Sequence, residues 1–87
     1  MSYSYENERL HVFSEDGQRL FLELRDRTKL LLRESGAVKL KNIISGSCGD
    51  PWHMMACVDR LVELNEIQEV PTHGSAKHRI FTFTNGI

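Results

Sequence analysis

Residues 38–67, VKLKNIISGSCGDPWHMMACVDRLVELNEI, decide the fold. Asp50-Pro51 reads as a helix start: a carboxylate that accepts the first free N–H groups, then a proline where its missing N–H costs nothing. Met54, Cys57, Val58, Leu61 and Leu64 follow at i, i+3, i+4, i+7 and i+10, the spacing of one buried helix face. In front of Asp50, the cluster Ser45, Gly46, Ser47 and Gly49 is a tight turn. Ahead of the turn, Val38, Leu40, Ile43 and Ile44 predict an extended lead into a two-turn helix, with those four side chains inward. Asn65 is a helix stop, and Glu66-Ile67-Gln68-Glu69-Val70 alternates polar with apolar as a half-buried strand does, ending at Pro71. After residues 72–77, the stretch His78–Thr84 is rich in aromatic and β-branched side chains, so the two strands pair as a hairpin.

Toward the N-terminus, Ser14 is a helix N-cap with Glu15 and Asp16 in the first turn, where carboxylates meet the positive end of the helix dipole. Leu20, Phe21, Leu24, Thr28, Leu31 and Leu32 then fall within an arc of about 120°, the width of a core-facing stripe. Gly36 supplies the left-handed residue that ends the helix. Leu22 and Leu30 lie outside the stripe and mark a candidate self-association surface. Residues 1–13 read as a polar extension of undecided order, in which Leu10-His11-Val12-Phe13 is either a short strand or a lead-in. Residues 14–87 read as the domain.

Composition fits one soluble domain: 87 residues, 40% hydrophobic, 26% charged, with 2 Pro and 6 Gly. No apolar run reaches the roughly 18–20 residues that cross a bilayer, and the first residues are too polar for a secretory signal. The expectation is a cytoplasmic protein without membrane contact. Cys48 and Cys57 are too few to staple the fold and read as thiols. With 11 Lys+Arg against 12 Asp+Glu the net charge is −1, so neither half forms a basic arm and any anion binding must come from local placement.

Helix, short helix, tight turn, third helix and hairpin is a layout that resembles the winged helix-turn-helix superfamily of small bacterial transcriptional regulators. The resemblance is carried by Val38-Lys39-Leu40-Lys41-Asn42-Ile43-Ile44, by Asp50-Pro51-Trp52-His53-Met54, and by the run Cys57–Ile67, and it spans about residues 15–84. It implies an α+β, three-helix domain with a C-terminal β-hairpin wing, binding double-stranded DNA. Residues 51–64 would be the recognition helix, offering Trp52, His53, Met55, Ala56 and Arg60 to the groove. Lys39 and Lys41 on one flank, and Lys77, His78 and Arg79 at the wing, would follow phosphates. Four fixed cations on phosphate imply a log–log salt slope of roughly −3 to −4. The outward face also carries acids where a groove reader offers Arg, Lys, Asn or Gln. An alternative use of the scaffold is therefore protein–protein interaction through Trp52 and Met55.

Cys48, His53 and Cys57 have a C-x4-H-x3-C spacing, with His73 and His78 further on, but Cys57 belongs to the buried stripe and His53 leans toward solvent. No metal or other cofactor is expected. No nucleophile–base–acid set, paired apolar carboxylates or phosphate loop is present; Gly46-Ser47-Cys48-Gly49 lacks the Lys-Ser/Thr of a P-loop. Catalysis is not expected.

Overall fold

The computed structural model describes residues 3–45, 50–71 and 79–84. Among these are four helices and three strands: α1 Tyr5–Val12, α2 Glu15–Ser35, β1 Ala37–Lys39, α3 Leu40–Ile44, α4 Pro51–Glu63, β2 Ile67–Val70 and β3 Ile80–Phe83. The fold is α+β, with one antiparallel sheet in the order β1-β3-β2. The lead at residues 37–39 thus becomes an edge strand, Val38 facing Phe81 on the central strand.

The helix boundaries follow from the caps. Ser14 Oγ accepts from Gly17 N at 3.0 Å to start α2, and Gly36, at φ 77°, ends it in the left-handed region that glycine enters freely. Asp50 Oδ1 accepts from Trp52 N at 2.8 Å and His53 N at 3.4 Å, with Pro51 in the first turn. Asn65, at φ 61°, turns the chain out of α4 toward β2.

The core lies between α2, α4 and the sheet. Phe21, Leu24 and Leu32 of α2, Val38, Leu40 and Ile43 of β1 and α3, Met54, Cys57, Val58 and Leu61 of α4, and Ile67 and Phe81 of the strands are buried together. Thr28 is buried among them, and its hydroxyl has no hydrogen-bond partner among the described residues. Leu64 departs from expectation: it stands 43% exposed, because α4 ends at Glu63 and Leu64 is the C-cap beyond its last regular turn.

The larger correction concerns the helix count. The segment expected to be an open-ended extension contains α1, a fourth helix, whose Glu6 and Glu8 sit in the first turn and Arg9 and His11 in the last, as the dipole favours. It has no apolar stripe: Val12 is its one buried residue, and Leu10 is 78% exposed. Ser14 joins α1 to α2, its Oγ donating to the His11 carbonyl at 2.7 Å while accepting from Gly17. Gln18 Nε2 donates to the Val12 carbonyl at 2.6 Å. Gly17 is required here, since a Cβ at that position would collide with the His11 carbonyl.

Candidate functional site

At 100° per residue, Ala56, Asp59 and Glu63 fall on the side of α4 opposite the stripe of Met54, Cys57, Val58 and Leu61, with Arg60 on its flank. This is the side expected to face a nucleic acid, and α1 packs across it. Tyr3 donates to Asp59 Oδ2 at 2.6 Å and Tyr5 to Glu63 Oε1 at 2.8 Å. Arg9 Nε meets Glu63 Oε2 at 3.1 Å, and Arg60 Nη1 meets Glu63 Oε1 at 2.6 Å. The guanidiniums of Arg9 and Arg60 each stand 5.0 Å from the centre of the Phe13 ring.

These contacts set the local electrostatics. Donation from Arg60, then Tyr5 and Arg9, draws the Glu63 carboxyl from its ordinary 4.5 down to about 2. Burial, then the bond to Glu63 and its charge, pushes the Tyr5 hydroxyl up to about 12, and burial with Asp59 raises Tyr3 further. Both tyrosines therefore stay neutral donors across the physiological range.

The structure surrounds several of the expected site residues with other parts of the chain. Ala56 is 0% exposed and cannot reach a groove. Arg60 is engaged with Glu63, and Met55 packs partly buried against the core. Trp52 is half-buried and His53 faces α1. Arg79, expected on phosphate, is instead a clamp between α4 and β2. Its Nη2 lies 2.6 Å from Asp59 Oδ1 and 2.8 Å from Glu69 Oε1, its Nε 3.1 Å from Glu69 Oε2, and its side chain is 17% exposed. Burial opposes its charge, but the bonds to Glu69 and Asp59 outweigh it and hold the guanidinium pKa above its usual value.

Lys39 and Lys41 are exposed, and neither has an ion pair among the described residues. Register puts Lys39 opposite Ile80, and Leu40 N donates to the Arg79 carbonyl at 2.8 Å. Val70 also pairs with Ile80, so the chain leaves β2 and returns to β3 at this same end of the sheet. A shallow groove of about 610 Å³ opens beside it, bordered by Ser35, Ala37, Lys39, Lys41, Asn42 and Ile80. Lys77 and His78 lie outside the described residues, as do Cys48 and His73.

Cys57 is buried, its thiol pushed up to about 11 by burial, so it is neither a ready nucleophile nor a ready metal ligand. Sequence reasoning missed Glu8, Arg9, His11 and Phe13, all in the segment whose order it left open. The available signal was the density of tyrosine, arginine and histidine in a stretch too polar to be a core element. No family model matches the chain, and no curated protein or solved structure matches it. No described helix is long and apolar enough to cross a membrane.

Proposed function

We propose that the chain is a nucleic-acid-binding domain of winged-helix type, a small regulator of the kind its sequence resembles. It holds the phosphate backbone through the Lys39–Lys41 edge and the β2–β3 connection. Alpha-helix α4 serves as its central support and does not read the groove. The observation that carries this is a pair of exposed lysines, without an ion pair among the described residues, at the sheet end where the chain leaves β2 and enters β3. The other cations first assigned to phosphate or base contact among the described residues, Arg60 and Arg79, are already neutralised by Glu63, Asp59 and Glu69. The element order and the β1-β3-β2 sheet are compatible with the winged-helix layout.

The test is fluorescence polarisation of a mixed-sequence DNA duplex titrated with the protein across a salt series. Lys39, Lys41 and Lys77 on phosphate give a log–log slope of about −3, and the double substitution Lys39→Glu/Lys41→Glu flattens it by about 2. Absence of binding at low salt, or unchanged binding by the double variant, removes this reading.

The second reading is a partner-binding module on the same scaffold. It is favoured by Leu22 and Leu30, exposed by 46% and 53% on the outer side of α2, and by Trp52, half-buried outside the main core cluster. Under it, Leu22→Lys/Leu30→Lys abolishes self-association in sedimentation velocity, or Trp52→Ala abolishes partner capture, and the Lys39/Lys41 variant does neither.

A further inference from the structure

Three potential metal ligands meet where α1 crosses the first turn of α4. Glu8 and His11 are three apart on α1 and so share a face; His53 approaches them from α4. One ligand atom from each lies within 4.8 Å of the others, with His53 Nε2 3.8 Å from Glu8 Oε1. The two imidazole rings stand 4.2 Å apart, centre to centre, tilted by 33°. A Glu8–His53 contact with a neighbouring ring would account for two of the three groups. It does not account for the third group, since His11 is exposed and yet lies with its ring tilted against that of His53.

The surroundings point the same way. A cleft of about 450 Å³ opens beside the rings, lined by His11 and His53 together with Asp16, Glu23, Asp50 and Arg19. Its arginine is paired with Glu15 at 3.3 Å. The remaining charged lining is acidic, which attracts a cation and gives solvent room at the ligand set for the open coordination positions.

We propose that Glu8, His11 and His53 form a binding site for a divalent first-row transition metal of the zinc class, joining α1 to α4. Two imidazole nitrogens and one carboxylate oxygen suit zinc, cobalt or nickel and disfavour calcium and magnesium, which take all-oxygen shells. Bonds of about 2.0–2.2 Å need ligand atoms roughly 3–3.5 Å apart, so closure requires rotation of side chains that have solvent to turn in. Because the ligands come from two helices, the ion binds the docked arrangement and fastens a helix that has one buried apolar side chain of its own.

Untagged full-length protein, stripped with chelator and returned to metal-free buffer, is titrated with zinc chloride by calorimetry and with cobalt chloride by visible absorption. The expected result is one ion per chain, cobalt bands of an N/O-ligated site, and zinc affinity reduced at least about tenfold in each of Glu8→Gln, His11→Gln and His53→Gln. Cys48→Ser retains full affinity. Zinc raises the melting temperature of the wild type and of Cys48→Ser but not of His11→Gln/His53→Gln. Saturation absent below millimolar zinc overturns the proposal. So does binding retained by His11→Gln/His53→Gln and lost in Cys48→Ser, which would put the metal at Cys48 with other ligands.

Discussion

The two sides of α4 are built differently. Toward α2 and the sheet it presents Met54, Cys57, Val58 and Leu61 to a continuous apolar core; toward α1 it presents Asp59, Arg60 and Glu63 to tyrosines, an arginine and Phe13. The first contact rests on area removed from water and the second on hydrogen bonds and charge. Exposed ion pairs contribute about 0–1 kcal/mol each, and a buried leucine several times that. Global stability therefore resides in the first contact, and adjustable attachment in the second.

The comparison breaks most visibly from the core side. Leu61→Ala, in a site with no solvent access, should cost about 2–5 kcal/mol in denaturant unfolding and lower the midpoint without changing the slope. A loss below about 1 kcal/mol would mean that the core does not carry the fold. Next in size is Gly17→Ala. Its Cβ would strike the His11 carbonyl, so α1 should shift or detach at a cost of about 1–3 kcal/mol, although alanine is otherwise the better helix former. The readout is amide exchange within residues 8–12, accelerated there while the residues of α4 that face the core stay protected.

These two variants also mark what the sequence makes legible. Alpha-helices α2 and α4 announce themselves through local chemistry: Ser14 and Asp50 as caps, Pro51 in the first turn, Gly36 at the end, and an apolar stripe between. Helix α1 lacks the stripe, and its partners are remote. Tyr3 meets Asp59 and Tyr5 meets Glu63 across more than fifty residues, a distance no local pattern spans. Ala56 was unreadable for the same reason, since a small apolar side chain suits either side of a helix and only α1 decides its burial. Arg79 looks like a free wing cation until Asp59 and Glu69 arrive, one from α4 and one from β2. Lys39 and Lys41 keep the exposure expected of them because no acid among the described residues pairs with either.

A smaller effect, of opposite sign, is expected at Thr28. Its buried hydroxyl has no partner among the described residues, so Thr28→Val should raise the melting temperature, corresponding to about 1 kcal/mol of added stability. A fall would show that the hydroxyl is satisfied in solution. Acid gives the mildest perturbation. The Glu63 carboxyl is drawn from 4.5 to about 2, so its contribution is complete above about pH 4.5 and is lost as pH falls from there through about 2. Within that window α1 amides should exchange faster in wild type, and Glu63→Gln should remove this component of the pH dependence.

The central claim is that α1 covers the outward side of α4. Hydrogen exchange followed residue by residue by NMR at neutral pH tests it most directly. Slow exchange at the amides of residues 9–12, together with ring-proton contacts between His11 and His53 and between Phe13 and the Arg60 side chain, is the result this account requires. Exchange of those amides at the rate of an unstructured peptide, with Ala56 and Arg60 open to solvent, would contradict it and return α4 to the surface as a candidate recognition helix.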